Sequence, residues 1–139
     1  MKEPKCKRTP ADFWPPINAC LENVSVYRLV KSRTELLEDD FLASIDADIK
    51  ENKLREGCVR DDRYYGVSVF EELDDVKALL LKVPHFKTKF EAIANGITKD
   101  EDGCIRRDKR NGYSSTSHLT WWLFENAKPE TYFVIVEEF

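Results

Sequence analysis

The sequence predicts a single α+β domain in which a mostly antiparallel, strongly twisted sheet carries two or three packed helices. Three observations predict it. Four short apolar runs, at Val24–Val30, Tyr64–Phe70, His118–Phe124 and Tyr132–Val136, have strand length and are rich in β-branched and aromatic residues. Following the first and second runs, apolar residues recur at helical spacing. The chain of 139 residues, 42% hydrophobic and 12% aromatic, is long enough to bury one core, which excludes wholesale disorder.

Residues 1–23 read as an extended N-terminal arm ahead of a domain spanning 24–139. Pro4, Pro10, Pro15 and Pro16 forbid a continuous helix there, and Phe13 and Trp14 are apolar enough to pin the arm or to meet a partner. Val24–Val30 is the first strand. Ser32-Arg-Thr-Glu35 matches a capping box, and Leu37, Phe41, Ile45 and Ile49 then recur every four residues, predicting one helix to about Glu56 with Gly57 as its stop. Tyr64–Phe70 is the second strand. Glu71, Glu72, Asp74 and Asp75 lead into a helix bearing Val76, Leu79, Leu80 and Val83, which Pro84 ends.

A further short helix is predicted from about Phe86 to Asn95, stopped by Gly96. Asp102-Gly103 signals a turn between extended segments at Gly96–Lys99 and Cys104–Arg107. Residues 108–117 are polar, contain Asn111-Gly112 and read as a functional loop. His118–Phe124 and Tyr132–Val136 close the chain as a hairpin, which with the first strand is expected to form the centre of the sheet. The expected core is Val26, Phe41, Ile45, Val67, Val69, Leu79, Phe90, Leu123, Val134 and Val136. Trp121-Trp122 is expected to place one ring in the core and one on the surface, which makes Trp121 a candidate binding residue.

Composition narrows the function classes. The longest apolar run falls far short of the roughly 18 residues of a membrane helix. The charged, proline-bearing N-terminus lacks the apolar stretch of a secretory signal, so the expected compartment is the cytoplasm and the four cysteines (Cys6, Cys20, Cys58, Cys104) are expected to be reduced. Their spacing with His85 and His118 matches no zinc pattern, so no metal is expected. A net charge of −4 argues against a general nucleic-acid coat protein. Arg106, Arg107, Lys109 and Arg110 nonetheless form a basic cluster able to meet phosphates, or simply a solvated face.

Polar groups set inside core-building strands are the candidate chemistry. Arg28 offers a planar fork for phosphate or carboxylate, or lies on the solvent face of its strand. The Ser68 hydroxyl can orient a ribose or a neighbouring carboxylate, and His118 follows a Ser/Thr-rich loop where acid–base work is common. Glu137 and Glu138 can supply a late carboxylate. The dinucleotide, P-loop, zinc-protease and nucleophile-elbow signatures are absent.

The order of Tyr27-Arg28 on a first strand, Ser68 on a strand feeding a helix, and a late glutamate resembles the Arg–Ser–Glu plan of ADP-ribosyltransferase-like domains. The resemblance implies that Arg28 binds NAD phosphate, Ser68 organises the nicotinamide ribose, and Glu137 or Glu138 promotes transfer. The chain carries neither that family's Ser-Thr-Ser tripeptide on the second strand nor its Glu-x-Glu loop. The plan Tyr-Arg, Gly-Val-Ser-Val-Phe and His-Leu-Thr-Trp-Trp over about residues 24–136 also looks like that of small bacterial proteins that accompany mobile or defence loci. The resulting expectation is a small non-enzymatic interaction or accessory protein, with no cofactor and another protein as partner. An NAD- or phosphoribosyl-binding enzyme and a nucleic-acid binder acting through residues 106–110 are the alternatives.

Overall fold

A computed structural model describes residues 2–108 and 117–139. Six strands form one antiparallel sheet: β1 (Ser25–Val30), β2 (Val67–Phe70), β3 (Ala92–Ile97), β4 (Gly103–Arg107), β5 (His118–Leu123) and β6 (Val134–Glu138). Their order across the sheet is β4-β5-β2-β1-β3-β6. The helices are α1 (Ser44–Lys50), α2 (Leu73–Lys82) and the single turn α3 (Phe86–Lys89), joined by short 3-10 turns. The α+β class and its antiparallel sheet are as the sequence predicts. No helix among the described residues is long and apolar enough to cross a membrane.

Each face of the sheet has its own cover. Val26, Val30, Val67, Val69, Leu119 and Trp121 share one core cluster with Leu36, Phe41 and Phe133, which lie over them. On the other face, Leu29, Phe70 and Ile93 pack against Val76 and Leu80 of α2. The N-terminal segment is tied to this body. Pro4 pairs with Phe124, Cys20 pairs with Ile105 of β4, and Phe13 and Trp14 meet the rings of Tyr65 and Phe124.

The single helix expected from residue 35 to 56 is instead a 3-10 turn (Glu38–Phe41) followed by α1. The cause is the Asp40 carboxylate, which is 5% exposed. It accepts from the backbone N–H of Lys31, Ser32 and Leu37, and from the Ser32 hydroxyl at 2.6 Å. These local bonds compete with helical ones and fold residues 31–40 back on the end of β1. The capping box at Ser32 therefore does not form. Helix α1 ends before Gly57, because Asn52 takes a left-handed φ of 57° while Lys53 N–H donates to Asp48 O and Asn52 N–H to Ile49 O. Leu37 and Ile49 are exposed, whereas Phe41 and Ile45 are buried.

Two further differences lie in strand assignment. Tyr64 and Tyr65 occupy a 3-10 turn (Asp62–Tyr65) whose first N–H groups are capped by Asp61, so β2 begins only at Val67. The helix expected to reach Asn95 is one turn, and residues 92–97 pair with all six residues of β1. Tertiary pairing overrides a weak local preference there. Gly96 is not a helix stop: a Cβ at that position would lie 2.2 Å from the Phe133 ring, so the ring packs directly on the backbone.

The closing hairpin does not form. β5 pairs with β2 and β4, which occupy both its edges, and β6 joins the far side of the sheet beside β3. The connecting segment crosses one face, anchored by Phe133 stacked on Trp121 at 5.6 Å and set edge-on to Phe41 at 5.0 Å. The strands at the centre are consequently β1 and β2. Val134 and Val136 on the outer strand are exposed, and Leu79 and Phe90 are only partly buried, so these four leave the expected core. Replacing Phe41 with Ala is expected to cost about 3–5 kcal/mol. Leu37→Ala is expected to stay within about 0.5 kcal/mol. Urea denaturation of the two variants checks the contrast.

Candidate active site

Antiparallel register brings Ser68 and His118 together. Ser68 lies opposite Thr120 and Phe70 opposite His118, so these four side chains share the face of the sheet that carries α2. The Ser68 Oγ is 2.5 Å from His118 Nε2, and His118 Nδ1 is 3.0 Å from the backbone O of Asp108. A carbonyl can only accept, so Nδ1 carries the proton and Nε2 is left to accept from the serine hydroxyl. The edge of the imidazole packs against the Phe70 ring at 5.3 Å, and the histidine is 3% exposed. Ser68, less buried, and His118 both line a cavity of about 50 Å³ that Ser44, Arg55, Cys58, Asp61, Arg63 and Tyr64 also line.

A charged buttress stands beneath the pair. Arg106 donates to both carboxylate oxygens of Asp62 at 2.7 and 2.8 Å, and through Nε to Asp108 Oδ1 at 2.9 Å. The other carboxylate oxygen of Asp108 accepts from the Thr120 hydroxyl. The bonds to Asp62 drive the arginine pKa further up, outweighing burial. The guanidinium lies 4.9 Å over the Trp122 ring, whose Nε1 donates to Asp62 O. Asp108 thus holds His118 with its carbonyl while its carboxylate is held by Arg106. On the opposite wall, Arg63 donates to both oxygens of Asp61 and keeps that carboxyl below its ordinary value of 3.8. The stabilisation is present above the ordinary value and is lost as pH falls through the lowered one.

The remaining expected site residues lie elsewhere. Arg28 lies on the same face of β1 as Val26 and Val30 and so projects from the face opposite Ser68 Oγ. Its Nε donates to Asp40 O at 2.8 Å and its Nη1 to the Ser68 carbonyl at 2.7 Å. By surface area the residue is half-buried, yet packing around the guanidinium pushes its pKa down to about 10 against the opposing pull of Asp40. A phosphate at Arg28 would have to displace both carbonyls. Glu137 pairs with Lys77 of α2 at 3.0 Å, on an outer strand three positions from β2. Arg28 and Glu137 therefore do not share the cavity of Ser68 and His118.

Trp121 is fully buried and so is Trp122 at 1% exposure, which removes Trp121 as a surface contact. Arg107 pairs with Glu22 and Glu71, and Arg106 is committed as above, so both guanidinium charges are matched by carboxylates of this chain. Lys109 and Arg110 lie outside the described residues, as does most of the 108–117 loop. All four cysteines are free thiols, and burial pushes Cys6 and Cys104 up to about 11, which keeps them protonated and unreactive at neutral pH. Among the described residues no group of three or more His, Cys, Asp or Glu side chains is placed to hold a metal.

Sequence reasoning missed Asp108, Arg55, Arg63 and Tyr64. The signals were the Arg106-x-Asp108 spacing, which sets both side chains on one face of a strand, and the charged triplet Asp61-Asp62-Arg63. No family model matches this chain, and neither does any curated protein or solved structure. Removing Arg106 leaves two carboxylates that are only 14% and 15% exposed without their cation. Arg106→Ala is expected to cost about 3 kcal/mol, the scale of breaking a largely buried pair. Arg107→Ala, at a half-exposed pair, is expected to cost under about 1 kcal/mol. Thermal and urea unfolding of both variants measures the difference.

Proposed function

We propose that the protein is an enzyme of the nucleophilic-serine class, a small esterase-type hydrolase or transferase with Ser68 as nucleophile and His118 as general base. The observation that carries this reading is the chain of contacts from Ser68 Oγ to His118 Nε2 and from His118 Nδ1 to the Asp108 carbonyl, opening on a cavity. Nucleophile, base and a third group that orients the base are the parts an activated serine needs.

In the reaction, the hydroxyl proton passes to Nε2 as Oγ attacks the electrophilic centre. The imidazolium then protonates the leaving group, and water, deprotonated by the same nitrogen, releases the serine. The carbonyl of Asp108 fixes the tautomer and the ring plane. It offers the imidazolium less charge stabilisation than a carboxylate would, because only a dipole faces Nδ1.

The features that suggest a non-enzymatic interaction module are used within the chain itself. Phe13 and Trp14 of the N-terminal arm pack on Tyr65 and Phe124, and Asp40, within the strongly acidic stretch from Glu35 to Asp62, is a buried cap. The NAD-binding alternative depends on Arg28, which is bonded to two carbonyls. The catalytic reading therefore has more of the site behind it.

A fluorophosphonate probe with peptide mapping tests the proposal. Labelling is expected at Ser68, absent in Ser68→Ala, and slowed by about 10²–10⁴ in His118→Ala, the usual contribution of a positioned base. Circular dichroism establishes that each variant is folded. A folded wild-type protein that is not labelled at Ser68 overturns the reading, as does labelling unaffected by the loss of His118, and the pair is then structural.

A further inference from the structure

Resting on the nucleophilic-serine reading, we propose that the cavity is an oxyanion site and that the group attacked by Ser68 is a phosphoryl ester. The argument is an excess of hydrogen-bond donors. Arg55 spends only Nε of its guanidinium on Asp48, at 2.8 Å. Arg63 spends Nε and Nη2 on Asp61. Nη1 of Arg63 and the Ser44 hydroxyl have no hydrogen-bond partner among the described residues, the guanidinium of Arg55 meets only Asp48 and Tyr64, and these residues line the cavity together with Ser68.

The two arginines are held in place before any ligand arrives. The Arg55 guanidinium lies 5.2 Å over the Tyr64 ring, the Tyr64 hydroxyl donates to Asp48 at 2.7 Å, and the Arg55 N–H donates to that hydroxyl at 3.0 Å. The Arg63 side chain is clamped by the carboxylate two residues before it. The acidic groups here each face an arginine: Asp61 faces Arg63, Asp48 faces Arg55, and Asp62 and Asp108 share Arg106. Spare cationic donors suit a ligand made only of acceptors, and the Nη edge of Arg55 with Nη1 of Arg63 suits oxygens spread in tetrahedral geometry.

A volume of about 50 Å³ holds a few waters or one group of phosphate size. Serine attack on phosphorus places negative charge on equatorial oxygens, where fixed cationic donors lower the barrier most. In the first step an Oγ–P bond forms, the ester O–P bond breaks, and the serine proton travels through His118 Nε2 to the departing alkoxide. In the second, water attacks the phosphoserine, His118 removes its proton, and inorganic phosphate leaves as Ser68 is regenerated with that proton.

Calorimetry of the full chain with inorganic phosphate, and turnover of p-nitrophenyl phosphate against neutral p-nitrophenyl acetate, test the proposal. Phosphate is expected to bind wild type at about millimolar concentration or tighter. Affinity should fall about tenfold or more in Arg55→Gln and in Arg63→Gln, the scale of losing a charge-assisted hydrogen bond. The Lys variants at the two positions should recover part of the loss, and Arg33→Gln, paired with Glu91 elsewhere, should change nothing. Turnover should favour the phosphate ester, with phosphate as a competitive inhibitor. Because phosphate binding is also read in Ser68→Ala, it stands or falls independently of the nucleophile. Absence of phosphate binding, binding indifferent to both arginines, or turnover of the acetate alone with Ser68 labelled overturns the oxyanion site and leaves the serine reading intact. Phosphate binding without labelling at Ser68 overturns the transfer step and leaves a phosphate-binding cavity.

Discussion

The arrangement around Arg28 is the constraint on which the rest of the structure depends. β1 and β2 sit at the middle of the sheet, yet they share a single paired position, Tyr27 with Phe70. A guanidinium closes the gap that the missing ladder leaves, donating to the Ser68 carbonyl on one side and the Asp40 carbonyl on the other. Asp40 in turn gathers the N–H groups of Lys31, Ser32 and Leu37, which would otherwise be orphaned where the chain leaves β1. One cation and one buried carboxylate thereby fix two central strands and the segment that covers their apolar face. The cost is a charge held in a poorly solvated place, visible in a pKa lowered to about 10. Such a site is specific because removing either partner strands the other.

The same node bears on the candidate chemistry from behind. Ser68 is gripped twice, its carbonyl by Arg28 and its hydroxyl by His118. Its backbone cannot shift without disturbing the seam between β1 and β2. Arg28, the residue the sequence offers most readily as a phosphate ligand, therefore reads as a positioning group for the strand that carries Ser68. Arginines that do face a cavity come from the irregular segment 51–65, where no strand or helix pattern advertises them. Polar residues within apolar strands single out Ser68 and His118, but the face each one takes depends on register, which a single sequence does not specify.

The legible parts of the fold are those where local pattern and tertiary demand agree. α2 is readable because acidic residues open it, Val76 and Leu80 lie on one face, and Pro84 ends it. β4 and β5 are readable from their composition, and Ser68 and His118 from their setting within apolar runs. The misread elements share one cause, a long-range partner outweighing a local signal. The segment from Phe86 to Asn95 has helical spacing in Phe90 and Ile93, but from Ala92 onward it satisfies its backbone along β1 and β6. The 35–56 segment has four-residue spacing, but Asp40 and Asn52 interrupt it. The two closing strands look like neighbours because they are consecutive. The edges of β5 are already occupied, however, so the chain must carry Phe133 across the core before it can pair again.

The sheet's edges show the same logic. β4 is covered by the N-terminal segment through the Cys20–Ile105 pairing, whereas β6 carries a register shift opposite Ile93 and Ala94 and ends in Glu137 and Glu138. Bulges and charge are the usual means of keeping an exposed edge from pairing with another chain. The cavity opens on the β2–β5 face, lined by Ser68, His118 and Thr120. There the buttress of Arg106, Asp62 and Asp108 joins the wall of the cavity to the carbonyl that orients His118. A shift of the wall would be transmitted to the imidazole through rigid, charge-assisted bonds, so cavity shape and base orientation form one mechanical unit.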